Sequence, residues 1–312
     1  MKNAKHICAV ALILAVSLFA AAALAAPPII DPYEYPAIDG STATIPLARA
    51  LRVAILGEDP DRVNVVHLTT PEAYYALAYG DVDFILATPP SRQDLPYFDS
   101  AALSQAEFDK YNDYDTYVTD ALGTLEMIPV AKDALVFLNN AANPVTDLTI
   151  EQLKNIYIGN TTSWRAIGGE DRPIIPYQRN NRSGSQTLFL SLLMENEKPM
   201  AAPEDWVPYT MGQLVEIVDN YQNGPSALGF SVYYYVSSMY ALENIRILAV
   251  NGVLPTEQTI MDDSYPLSTY YYAVLPKDTP DDDPARQIVN WLLTDEGQAL
   301  VKETGYIPLK EE

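Results

Sequence analysis

Cysteine is almost absent: the only one, Cys8, falls within the first 26 residues. The chain beyond it has no thiol with which to form a disulfide, a thiolate nucleophile or a Cys-type metal site. Histidine is nearly as scarce, with His6 in the same leading segment and His67 alone in the remainder. One imidazole with no partner at a recognisable spacing argues against metal hydrolysis, and no G-x-S-x-G elbow sets up a serine nucleophile. Positive charge is also in short supply. Lys and Arg number 19 against 41 Asp and Glu, a formal charge of −22, and such a surface repels nucleic acid and anionic membranes. It opposes long-range capture of an anion too, so any anion site has to be built from local dipoles and one or two arginines.

What is present begins with an export signal. Lys2 and Lys5 precede an apolar run from Ile7 to Phe19, and small residues lead to Ala23-Leu24-Ala25. This predicts a signal peptide over 1–25, cut after Ala25; the alternative is an uncleaved anchor, since about 20 apolar residues can span a bilayer. Cys8 has no lipobox before it, so no lipid anchor is expected and the protein is predicted to be periplasmic or extracellular.

The rest of the 312-residue chain is long enough for two modest cores. Pro27, Pro28, Pro32 and Pro36 mark an extended entry segment. The pattern then predicts a strand over Val63–Leu68, a helix over Pro71–Tyr79 stopped by Gly80, and a strand over Val82–Ala87, which is the signature of an α/β sheet with parallel strands. Further strands are predicted over Met127–Asn139, Ile174–Tyr177, Ala227–Val236 and Ser268–Leu275. The tyrosine runs Tyr233–Tyr235 and Tyr270–Tyr272 are read as strand residues. Helices are expected over Leu148–Ile158, where Thr149 and Gln152 have capping-box spacing, over Gln186–Glu195, and over Pro284–Glu303.

Three hydroxyl-rich turns stand immediately before helices: Gly40-Ser41-Thr42-Ala43-Thr44-Ile45-Pro46, Thr69-Thr70-Pro71-Glu72, and Arg179-Asn180-Asn181-Arg182-Ser183-Gly184-Ser185. A helix start leaves its first N–H groups unpaired and carries about half a positive charge, so an oxyanion placed there accepts several N–H bonds at once. Gly184 lets the backbone approach closely, Ser183 and Ser185 add hydroxyls, and Arg179 can fork onto two oxygens. Taken singly, each turn is equally explained as an ordinary Ser or Thr cap.

Five stretches resemble the phosphate-binding proteins of bacterial ABC importers, which have the type II periplasmic binding fold. They are Asp39-Gly40-Ser41-Thr42-Ala43-Thr44; Ile128-Pro129-Val130-Ala131-Lys132-Asp133; Asn143-Pro144-Val145 with Leu148-Thr149 and Gln152-Leu153; Ile156-Tyr157-Ile158-Gly159 with Trp164 and Gly168-Gly169, leading to Arg179 and Ser183-Gly184-Ser185; and Glu296-Gly297-Gln298 with Gly305-Tyr306-Ile307-Pro308-Leu309. The resemblance implies a two-domain α/β protein, each domain a mixed, mainly parallel sheet flanked by helices, with the ligand in the interdomain cleft. The domains would be 29–127 plus 270–312, and 128–269. It implicates Arg179, Ser183, Gly184 and Ser185 as phosphate ligands, Thr42, Ala43 or Thr44 in the first loop, and Thr69 or Thr70 at the second helix start. Thr88 stands where the family pattern implies an Asp that accepts the proton of hydrogen phosphate, so the choice between phosphate and other tetrahedral oxyanions stays open.

The function expected is a monomeric receptor, not an enzyme and without cofactor, that delivers inorganic phosphate or a related oxyanion to an ABC transporter permease. A ligand-sensing module of the same fold that binds another small anion is the alternative, and an exported hydrolase comes third.

Overall fold

A computed structural model describes residues 26–90, 123–180, 183–195, 197–220, 224–238 and 244–310. The signal segment 1–25 with its cleavage point, and Asn181 and Arg182 of the third turn, lie outside the described residues. The strands are β1 (Ile38–Gly40), β2 (Phe84–Ala87), β3 (Leu125–Asn140), β4 (Asp147–Leu148), β5 (Ile175–Pro176), β6 (Ala227–Val232), β7 (Ile245–Ile247), β8 (Ala249–Val250) and β9 (Ser268–Pro276). Helices lie between them, so the class is mixed α/β, as the alternation of patterns predicts.

The main sheet runs β1-β2-β9-β3-β6-β5, with β7 also on β3. Pairing is parallel at the outer strands, β1 with β2 and β5 with β6, and antiparallel where β9 and β3 run through the middle. β3 organises the molecule. Its first half pairs with β9 and its second half with β6 and β7. Ala134 to Leu138, a continuous apolar run, is wholly buried, as a central strand covered on both faces should be. Exposed Pro129, which has no N–H to give a ladder, sits where the β3–β9 register shifts between Pro129 and Ala131.

The buried side chains fall into separate groups. One packs Leu47, Leu51, Phe84, Val130, Ala131, Tyr271 and Ile288, with a neighbouring set around Tyr74 and Val274. The other packs Ala134 to Leu138 with Tyr157, Trp164, Phe189, Phe230 and Leu267. The change of core therefore falls between Ala131 and Ala134 on β3, and between Leu267 and Tyr271 on the return path.

Three sequence expectations are corrected. Val63–Leu68 is in no strand; Val66 and Leu68 are exposed, and the Leu68 N–H is taken at 2.9 Å by the side chain of Asp39 in place of a ladder partner. Tyr233–Tyr235 opens the helix Tyr233–Ser238, because buried Asp133 on β3 accepts the Tyr234 N–H at 3.0 Å and so caps it. This cap from another element overrides the β propensity of three tyrosines. The last helix is two, Pro284–Leu292 and Asp295–Glu303, since Thr294 turns back onto Trp291 O and caps the second through Gly297 N.

Candidate anion-binding site

The three hydroxyl-rich turns meet at one cavity of about 760 Å³. Ser41, Thr42, Ala43, Thr69, Thr70 and Thr88 reach it from one side, and Arg179, Ser183, Gly184 and Ser185 from the other. These include every expected ligand residue except Thr44. That side chain is fully buried behind the first turn, its hydroxyl 2.8 Å from both Ser41 O and Leu86 O, and it holds the loop instead of lining the cavity.

Local structure explains why the turns can serve a ligand. At Ser41 before the 3-10 turn Thr42–Thr44, at Thr69 before the helix Thr70–Tyr79, and at Ser183 before the helix Gly184–Leu188, no side chain caps the helix start. Elsewhere the same residue types do the ordinary job: Thr149, Thr210, Thr256 and Thr294 each accept from an N–H of their own helix. At the cavity, Thr69 gives its hydroxyl to Glu72 and Ser183 pairs with Ser185 at 2.9 Å, so neither hydroxyl caps its own helix, and helix starts of this kind suit an oxyanion.

Arg179 is 8% exposed. Its guanidinium donates to the backbone oxygens of Pro208 at 3.2 Å and Tyr209 at 3.1 Å, and among the described residues no carboxylate is paired with it. Burial pulls its pKa down to about 10, partly offset by Tyr235, which still leaves it charged at neutral pH. A buried cation without an anionic partner is costly, and an oxyanion in the cavity removes that cost. The hydroxyls tell the same story. Ser41 Oγ, Thr70 Oγ1 and Thr88 Oγ1 are buried with no protein partner among the described residues. Each such group costs about 1–3 kcal/mol, so three around one cavity suit it to a polar ligand.

The two sides nearly touch. A Cβ added to Gly184 would lie 2.7 Å from Thr70 Oγ1, so only glycine allows this approach. Gly40 is constrained similarly, its absent Cβ falling 2.1 Å from Leu86 O, which lets β1 and β2 pack behind the first turn. His67, which falls within the run predicted as a strand, is buried with Nδ1 at 3.0 Å from Ser41 O and 3.1 Å from Thr44 Oγ1. Burial lowers its pKa, against the Ser41 carbonyl and Asp39, and so keeps it neutral.

Sequence reasoning missed Glu72, Tyr209, Thr210, Met211, Tyr235 and Tyr271, which also line the cavity. Thr210-x-x-Gln213 is a capping box and could have marked that loop. Nothing in the run Tyr270–Tyr272 singles out the one tyrosine that reaches the cavity. Among the described residues no group of three or more His, Cys, Asp or Glu could hold a metal, and no helix is long and apolar enough to cross a membrane.

The match to a family model, the PBP superfamily domain, covers residues 33–296, and the chain belongs to that family. It is similar to the phosphate-binding protein PstS of Staphylococcus aureus, with 24% identity over 280 residues, 88% of this chain and 78% of that protein. The PstS of Borreliella burgdorferi is 25% identical over 185 residues. The chain spans 64% of that relative's length, and 57% of the Bacillus subtilis PstS. Among solved structures, an ABC-type phosphate transport receptor from Vibrio cholerae aligns with a TM-score of 0.62 and 25% identity, over 86% of this chain and 98% of its own. A substrate-binding protein from Clostridium perfringens, solved with phosphate, has the same fold at a TM-score of 0.62 and 22% identity, over 88% of this chain and 98% of its own.

Proposed function

We propose that the protein is an exported receptor that captures phosphate, or a closely similar tetrahedral oxyanion, and presents it to the permease of an ABC importer without changing it covalently. The observation that carries this is the set of three helix starts without a side-chain cap, each with a hydroxyl residue, meeting buried Arg179 at one cavity. Small tetrahedral anions match that geometry, since four oxygens can accept from converging N–H, hydroxyl and guanidinium donors at once. The names of the relatives and of the Vibrio cholerae receptor point the same way.

Residues 29–127 with 270–312 form one domain in this proposal and 128–269 the other, and the monomer closes on its ligand about the two crossing strands. The change of core along β3 and before Tyr271 supports a division on these two strands, a few residues beyond 127 on β3, as does the close approach of Gly184 to Thr70. The test is calorimetry with phosphate on the wild type and on Arg179→Met, which keeps length and removes charge. Charged hydrogen bonds contribute about 1.5–3 kcal/mol each, so losing two should weaken phosphate by about 100-fold or more. An absence of heat from phosphate, arsenate, sulfate and molybdate on the wild type overturns the proposal.

A further inference from the structure

A tetrahedral dianion that retains one proton offers a donor as well as acceptors, whereas sulfate at neutral pH offers acceptors only. The donors of the cavity suit either. What separates the two anions is an acceptor that has to be satisfied. Thr88 is a hydroxyl with no charge, yet the sheet places a stronger acceptor beside it.

Ala87 on β2 pairs with Tyr272 on β9, so Thr88 and Tyr271 are next across the two strands and turn to the opposite face, where both line the cavity. One strand further, Tyr271 pairs with Ala131 and Thr269 with Asp133, which makes Asp133 the diagonal neighbour of Tyr271 on the same face. Tyr271 and Asp133 are 0% and 1% exposed. Asp133 Oδ1 accepts the N–H groups of Ala134 at 2.8 Å and Tyr234 at 3.0 Å, while Asp133 Oδ2 and the Tyr271 hydroxyl lie close enough to interact with each other but are in no well-formed hydrogen bond. A spare carboxylate oxygen thus stands directly behind a spare phenol that opens on the anion cavity.

We infer that Tyr271, backed by Asp133, is the acceptor that selects a protonated tetrahedral oxyanion, such as hydrogen phosphate or hydrogen arsenate, over sulfate. The inference rests on the oxyanion reading above. The ligand's O–H donates to the Tyr271 oxygen and the Tyr271 O–H donates to Asp133 Oδ2, so both spare groups are satisfied and no proton is transferred. Sulfate cannot do this. Either Tyr271 keeps its proton on Asp133 and turns a lone pair toward a sulfate oxygen, or it donates to sulfate and strands the carboxylate.

Discrimination then depends on Asp133 being ionised, and burial raises its pKa to about 6 against the backbone N–H groups and the Tyr271 hydroxyl, which oppose the rise. Once protonated it can donate to Tyr271, whose own O–H is released for sulfate. The titratable groups facing Asp133 are Tyr233, Tyr234, Tyr271 and Tyr306, all pushed upward chiefly by burial, so none titrates in this range. Lys132 is engaged with Asp263 at 2.7 Å. The competing acceptor is Glu72, the carboxylate at the cavity that takes the Thr69 hydroxyl at 2.9 Å.

Calorimetry with inorganic phosphate and with sulfate, at about pH 8 and about pH 5 to bracket the Asp133 titration, on wild type, Tyr271→Phe and Glu72→Gln, tests the inference; thermal melts verify that both variants fold. The wild type at the higher pH is expected to prefer phosphate by about 100-fold or more. Tyr271→Phe should shrink that ratio by about tenfold, chiefly through gained sulfate affinity. Sulfate should tighten by about tenfold toward pH 5 in the wild type and stay unchanged in Tyr271→Phe. Equal affinities in the wild type at the higher pH, or a ratio that moves with Glu72→Gln and not with Tyr271→Phe, overturn the inference and leave the oxyanion reading standing. Binding of neither anion by the wild type removes that reading, and the inference with it.

Discussion

Gly184 carries two duties at once. It begins a helix at the cavity, and it lies so near Thr70 on the far wall that an added Cβ would fall 2.7 Å from the Thr70 hydroxyl. Gly184→Ala leaves the helix start chemically intact, because alanine favours a helix more than glycine does. Its methyl group, however, would sit 2.7 Å from the Thr70 hydroxyl. The two walls must then part, and phosphate loses contact with one of them. An affinity loss of about tenfold is expected, the equivalent of roughly 1.4 kcal/mol, together with a larger radius of gyration for the phosphate-saturated variant in solution scattering. Adding Thr70→Ala removes the obstructing oxygen, since the next atom, Thr70 Cβ, is 3.9 Å away. The double variant should regain the compact scattering profile without regaining affinity, because in the proposed binding mode the Thr70 hydroxyl is itself a donor to the ligand. A double variant that stays expanded would show that the close approach is not what limits closure.

At the scale of elements, the helix Tyr233–Ser238 shows how the buried carboxylate of Asp133 shapes both structure and pH response. Its folded pKa, about 6, stands above the roughly 3.9 of an unfolded aspartate. Between those values the folded state holds a proton that the unfolded state has lost, so this group favours folding at lower pH and its contribution is lost as pH rises through about 6. His67 works in the other direction. Its pKa is lowered by burial, so its contribution is present above the unfolded value and is lost on acidification. Asp133→Asn retains the cap on Tyr234 through the amide oxygen and removes only the first effect. In the ligand-free protein, the melting temperature at pH 5 relative to pH 7.5 should therefore fall in Asp133→Asn compared with wild type by about 2 °C, for a difference on the order of 1 kcal/mol. An unchanged difference would mean that Asp133 does not titrate between those two values.

The same element marks where sequence ceased to be a guide. Thr149 and Gln152 announced their helix because a capping box is local: both partners lie within one turn. Ala134 to Leu138 announced a strand because an unbroken apolar run has few other homes. Arg179, Ser183, Gly184 and Ser185 could be singled out for the same reason, as one short turn, and the structure brings them together on one cavity. Tyr233 to Tyr235 misled because the cap that makes them helical comes from Asp133, a hundred residues earlier. Val63 to Leu68 misled because its alternation says nothing of whether a neighbour is free to pair. Tyr271 was invisible as a site residue because its place beside Thr88 is set by register across two strands, which no local pattern encodes.

For the whole molecule, the proposed function sets up a tension, because an anion receptor would here carry a formal charge of −22. The site resolves it at short range, with buried Arg179 and three open helix starts in a cavity that solvent ions screen little. At long range nothing resolves it, and an approaching phosphate meets a repulsive field before it meets the donors. Raising ionic strength from about 10 mM to about 150 mM shortens the screening length from about 30 Å to about 8 Å. That suppresses the distant acidic surface while leaving contacts a few ångströms apart largely intact. The association rate for phosphate, followed by stopped-flow tyrosine fluorescence, should therefore rise several-fold with added sodium chloride, and the dissociation rate should hardly change. This is the opposite of what a positively steered binder shows, where salt slows capture. A rate that falls with salt would mean that the helix starts and Arg179 project a positive field beyond the cavity mouth, strong enough to outweigh the acidic surface at the distance where capture is decided.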